Sequence, residues 1–146
     1  MNILSNILLN NIILSCLIAI VIAQILKVVF SSIKKKRLDF SMLLMTGDMP
    51  SGHSAVMGAL VTSIFLIEGV TSLFALSCVL AVMVIYDSLT IRKAVGHHTT
   101  ILNEILRALK LHHKYSVREL AGHSFIQIIA GLIIGIAVAL LVNRII

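Results

Sequence analysis

Charge is what this chain has least of. Only 12% of its 146 residues are Asp, Glu, Lys or Arg, where a soluble domain carries roughly twice that share. Hydrophobic residues make up 59%, and the mean hydropathy is +1.08. A disordered chain, a coiled coil and an ordinary soluble domain are thereby excluded. Cysteine is almost missing too. Cys16 and Cys78 both sit inside apolar runs and supply neither a disulfide framework nor a metal spacing. Proline occurs once, at Pro50. No low-complexity segment is present, and the 146 residues are expected to form a single integral membrane domain.

What the chain does have is apolar runs. A helix crosses a bilayer with about 20 apolar residues, and about 17 at the least. Four runs approach that length: residues 7–30, 54–70, 71–86 and 125–142. The first is uncharged until Lys27 and has no basic residue before it. It is too long for a signal-peptide core and reads as a retained anchor. Only Glu68-Gly69 separates the second run from the third, which predicts a tight helical hairpin. In the fourth, Gly131 and Gly135 form a small-xxx-small pair that permits close helix contact.

The placement of basic residues predicts the topology. Of the 12 Lys and Arg, only Arg144 lies beyond the fourth run. The others are Lys27, the Lys34-Lys35-Lys36-Arg37 cluster, or lie between Arg92 and Arg118. With four spans they fall on one side, which the positive-inside bias makes cytoplasmic, leaving both termini outside. The net charge of +6 is thus explained without a nucleic-acid partner. Before the fourth span, Ile101, Leu102, Ile105, Leu106 and Leu109 share one helical face, and Asn103, Glu104, Arg107 and Lys110 the other. That pattern suits a helix in the membrane interface or one packed on the cytoplasmic ends of the bundle. The expected fold is all-α: a four-span transmembrane bundle with a cytoplasmic amphipathic helix between spans three and four. Its four short spans and the Gly131/Gly135 face make homo-oligomer formation an expectation as well.

The chemistry concentrates in Gly47-Asp48-Met49-Pro50-Ser51-Gly52-His53-Ser54-Ala55. Pro50 stands where its fixed φ suits a helix start, and Ser51 or Ser54 can cap free backbone N–H groups. Such a start offers N–H donors and a positive dipole end to an anion. His53 beside a bound phosphate is placed to give a proton to a leaving oxygen. Gly122-His123-Ser124 repeats the pattern before the fourth run. Lys27 and Arg92 lie at the same depth as candidate phosphate ligands. Asp87 is a partner for a histidine or for Arg92.

The ordered set Ala23-Gln24-x-x-Lys27, Gly47-x-Met49-Pro50-Ser51-Gly52-His53-Ser54-Ala55, Tyr86-Asp87 with Arg92 and Asn103, and Glu119-x-x-Gly122-His123 resembles the divergent branch of the type 2 phosphatidic acid phosphatase family. That branch is related to acid phosphatases and vanadium haloperoxidases. The resemblance implies a histidine nucleophile that forms a phosphohistidine on a lipid phosphate or pyrophosphate. It makes His53 the general acid, with Lys27, Ser51, Gly52 and Arg92 on the phosphate and neither metal nor cofactor. It also implies an integral protein of a bacterial plasma membrane, whose partners are the bilayer and a phosphorylated lipid.

Two histidines compete for the nucleophile. Arg92 and His98 keep the superfamily's arginine-to-histidine spacing, but Ile91 stands at its serine and Leu102 at its aspartate. His123 belongs to the divergent branch's own pattern, with Gln127 at the acid position. Asp87 would then have to orient the histidine. The missing acid also motivates a second reading, in which the protein binds or translocates a phosphorylated lipid without hydrolysing it. Ligand types for a metal occur at His123, His53, Asp87, Asp48 and Glu104, without any short metal spacing.

Overall fold

The computed structural model describes residues 10–36, 49–111 and 124–145. They form five helices, with no strand among the described residues: α1 (Asn11–Lys35), α2 (Gly52–Glu68), α3 (Ser72–Leu89), α4 (Ile91–Ala108) and α5 (Phe125–Ile145). Inside a bilayer no water is available to backbone groups, so each helix must satisfy them itself and close its ends. The Asn10 side chain caps α1 by accepting from the Ile12 and Ile13 N–H groups at 3.0 and 3.1 Å. At the far end Lys36 takes a left-handed conformation and donates its N–H to the Ile33 carbonyl. Ser51 caps α2, and Thr71 caps α3 by accepting from Phe74 N–H at 3.3 Å.

The hairpin expected at Glu68-Gly69 is present. Gly69 ends α2 at φ +71° with its N–H on the Phe65 carbonyl. The Phe65 and Phe74 rings then meet across the turn with centroids 5.4 Å apart. The helix that carries the Ile101–Leu106 pattern starts at Ile91. Only Thr90 separates α3 from α4, and both its N–H and its hydroxyl donate to the Tyr86 carbonyl. Three segments are long and apolar enough to cross a membrane: Asn11–Ile33, Ser72–Ala108 and Phe125–Ile145. Helix α2, at 17 residues, is apolar but shorter.

That short helix is the centre of the bundle. It packs on α1, α3 and α5, most extensively on α5. Ser51 N–H donates to the Gln127 carbonyl at 3.1 Å, and Asn143 Nδ2 donates to Ser63 Oγ at 3.2 Å, so α2 and α5 run side by side in one direction. Helix α1 runs the opposite way, with Ile20 beside Gly52 and Cys16 Sγ on the Val56 carbonyl at 3.8 Å. The core is made of small side chains: Ala19, Ala23, Ala55, Ala59 and Ala139 are buried. Large ones such as Leu17, Val21, Leu76, Met83, Ile133 and Leu141 are exposed. Lipid tails are as apolar as leucine, so close backbone approach, rather than burial of bulk, holds such helices together.

Gly131 and Gly135 confirm the expected contact. A methyl group at Gly135 would run into the Ala55 carbonyl and stand 2.7 Å from the Ala59 nitrogen. Overpacking of this kind costs about 1–3 kcal/mol. We expect Gly135→Ala to lower the thermal midpoint of the detergent-solubilised protein. Gly52→Ala, whose added carbon meets only Ile20 at 3.9 Å, leaves it unchanged. Equal midpoints for the two variants would refute the account of the α2–α5 contact.

Candidate functional site

The start of α2 is built as its sequence requires. Ser51 is fully buried, and its hydroxyl accepts from Ser54 N–H at 3.4 Å and from the Ser54 hydroxyl at 3.0 Å. Its carbonyl takes the first helical bond, from Ala55 N–H at 3.1 Å. The Gly52 and His53 N–H groups in the first turn have no carbonyl within the helix to reach. They point where the helix dipole is positive. The Ser51 hydroxyl is thus a helix cap, and a ligand at this end meets backbone N–H groups.

Four helices bring charge to this point. His53 lies half-exposed in the otherwise buried first turn of α2, ahead of the apolar run that begins at Ser54. Burial of the ring lowers the His53 pKa from its ordinary value, and the charges of Arg92 and then Lys27 add to that effect. Asp87 pulls it back up. Lys27 comes from α1, Asp87 from the end of α3 and Arg92 from the start of α4. Lys27 is only 4% exposed. Arg92 Nε donates to Asp87 Oδ2 at 2.9 Å across the α3–α4 junction. That pair is more than a third exposed on both sides, so solvent limits its worth to the structure to under about 1 kcal/mol. Six of the expected residues, Lys27, Ser51, Gly52, His53, Asp87 and Arg92, therefore gather at one end of the bundle.

His98 is not brought to them in the same way. At about 100° per residue, it sits about 120° round α4 from Arg92. It shares its face with Ile91, Val95 and Leu102 and is exposed. Arg92 instead shares a face with Thr99 and Asn103, which are both buried. Asn103 had been placed on the solvated side of this helix, and the structure turns it inward. The reason is the medium: Ile101, Leu102, Ile105 and Leu109 are the exposed face, as suits a helix beside lipid. His97 also lies exposed on α4. His123, Asp48, His112, His113 and Arg118 lie outside the described residues.

Two further features carried a signal in the sequence that was passed over. Gln24, Lys27 and Ser31 recur at i, i+3 and i+7 and form a polar stripe on α1. The Gln24 Oε1 and Ser31 Oγ atoms are buried without a hydrogen-bond partner among the described residues. Ser124-x-x-Gln127 is a capping box. Gln127 Oε1 accepts from Ser124 N–H at 2.7 Å, and Gln127 N–H donates to Ser124 Oγ at 3.4 Å. The glutamine in the acid position thus secures the start of α5.

Residues 8–138 match the Divergent PAP2 family. The chain belongs to that family. The match spans every residue of the charged cluster. The chain is also 34% identical over 142 residues to the uncharacterized membrane protein YuiD of Bacillus subtilis strain 168, covering 87% of this chain and 90% of the relative. No solved structure matches it. With its apolar helices and this relative, the chain is an integral membrane protein whose exposed helix faces contact the lipid bilayer.

The charge arrangement makes a signed prediction for His53. Removing the cation in Arg92→Gln favours the imidazolium and moves the His53 titration midpoint up. Removing the anion in Asp87→Asn moves it down. Nitrogen-15 NMR of labelled histidine reads both shifts, and movement in the same direction for the two variants would contradict the geometry.

Proposed function

We propose that the protein is a membrane phosphatase for a lipid phosphate or pyrophosphate. The observation that carries this reading is the convergence of Lys27, His53, Asp87 and Arg92 from four helices on the N-terminus of α2. Fixed cations and helix N–H groups stabilise charge on phosphoryl oxygens without reorganising. A histidine nitrogen attacks phosphorus, and the bond from phosphorus to the lipid oxygen breaks. His53 donates a proton to the departing alkoxide. Water then attacks the phosphohistidine, His53 takes its proton, and inorganic phosphate leaves. Splitting the transfer into two steps is what covalent catalysis contributes. His123 is the proposed nucleophile, since His98 sits about 120° round α4 from Arg92, on its exposed face. Asp87 orients the imidazolium.

The topology proposed is four spans, with α2 as the short one, both termini outside and the site cytoplasmic. The basic residues of the Lys34–Arg37 and Arg92–Arg118 stretches support it. One observation favours a second reading, that of binding or translocation without hydrolysis. Neither candidate nucleophile is followed by its carboxylate: Leu102 stands at that position after His98, and Gln127, held in its capping box, after His123. His53 must be protonated to act as acid, and a bound phosphate favours that form. By reciprocity, phosphate binds more tightly as pH falls through the His53 titration.

Phosphate release from phosphatidate, phosphatidylglycerophosphate and polyprenyl pyrophosphate in mixed micelles tests the reading, with chelator present. Release is expected from the native protein and a loss of at least about a hundredfold from His53→Ala, as for a general acid. His123→Ala should abolish it and His98→Ala should spare it. Saturable phosphate-dependent lipid binding with no release would establish the second reading instead. For topology, single cysteines replace Met49 and Val70 in a chain lacking Cys16 and Cys78. In intact cells a membrane-impermeant maleimide should label Val70→Cys and spare Met49→Cys, and the reverse pattern would invert the orientation.

A further inference from the structure

A groove of about 260 Å³ opens on the side of the bundle. Met57 and Val61 of α2, Cys78 and Val82 of α3, and Leu132 and Ile136 of α5 line it. It exists because α3 and α5 both pack on α2, with small Gly58 and Ala81 in the wall. Its depth is informative. Met57 is four residues beyond His53, about 6 Å along the helix. Val82 precedes Asp87 by five residues and Leu132 follows Gln127 by five, about 7.5 Å in each case. All three walls therefore rise from helix ends at the charged cluster, and the groove begins about one turn outward of it, in the apolar layer.

We propose that this groove seats the hydrocarbon chain of a single-chain lipid phosphate whose phosphate lies at the start of α2. The inference rests on the phosphate-site reading above and names its substrate class. A phosphate held by Lys27, Arg92 and the first-turn N–H groups must send its chain into the bilayer from that point, and this apolar cleft begins one turn away. Binding sites for drug-sized molecules occupy about 300–1,000 Å³, so 260 Å³ accepts part of one chain and not two side by side. Discrimination comes from the shape of the cleft, since a chain gains no hydrophobic free energy by leaving lipid for protein.

The test uses the full chain in phosphatidylcholine nanodiscs with a monoalkyl phosphate carrying a diazirine near mid-chain. After irradiation, mass spectrometry is expected to place adducts between Met57 and Thr62 and between Cys78 and Val82. Excess plain monoalkyl phosphate should suppress them at least tenfold, while the matching alcohol does not and diacyl phosphatidate does so less. Val82→Trp and Ile136→Trp fill the groove from opposite walls, and each should remove the adducts while keeping the native thermal midpoint. The His53 NMR response to the same monoalkyl phosphate reports the phosphate site separately. A response with adducts elsewhere, or with adducts equally blocked by the alcohol, overturns the groove and leaves the phosphate site standing. Equal suppression by the diacyl lipid overturns the single-chain preference. No His53 response overturns both.

Discussion

The architecture depends on how closely α2 and α5 approach. Gly131 stands against the Ser51 carbonyl, Gly135 against that of Ala55, and a methyl group at Gly58 would stand 2.8 Å from the Leu132 carbonyl. Water drives apolar helices together in a soluble protein, but no such force acts between helices already in lipid. Contact between backbones supplies the attraction here, and it requires glycine on both surfaces. The same contact fixes the start of α2, because the Ser51 N–H finds its acceptor on Gln127 of the neighbouring helix. Position and cap of the candidate site therefore follow from the packing of two spans.

That packing inverts the usual distribution of residues. Alanine, glycine and serine fill much of the interior beside Ile64, Ile128, Val138 and Val142, while most other leucine, isoleucine and valine side chains face outward. Polar groups in the interior are tolerated where they find a partner, as the Ser54 hydroxyl does on Ser51 and the Asn143 amide nitrogen on Ser63, although Asn143 Oδ1 has none among the described residues. At one end of the bundle the pattern changes: charged side chains from α1, α2, α3 and α4 converge, and buried Gln24 and Ser31 carry polar atoms with no partner among the described residues. Clusters of this kind are expensive near a membrane and mark function by default.

Much of this was legible in the sequence. Apolar runs, the Glu68-Gly69 turn, the Pro50-Ser51 helix start and the glycine pair are local features, each decided within a few residues. The Pro-Ser-Gly-His element pointed to an anion-binding helix start, and the ordered motif set pointed to the Divergent PAP2 family. Two points, one on α4 and one at the start of α5, were less legible. Helical spacing shows which residues share a face but not which face meets protein, so Asn103 was assigned to solvent and is buried. Gln127 was read only as a missing carboxylate, although its spacing from Ser124 already spelled a capping box.

The sequence by itself determined that the chain lives in a membrane, where its helices start and stop, and which residue types are available for chemistry. Hydropathy and capping are properties of consecutive residues and need no partner segment. Only the tertiary structure decided that Lys27, His53, Asp87 and Arg92 share one end of the bundle while His98 turns away. That outcome depends on the shapes of surfaces more than 70 residues apart, from Ser51–Ala59 to Gln127–Gly135. No local period encodes how two such surfaces fit.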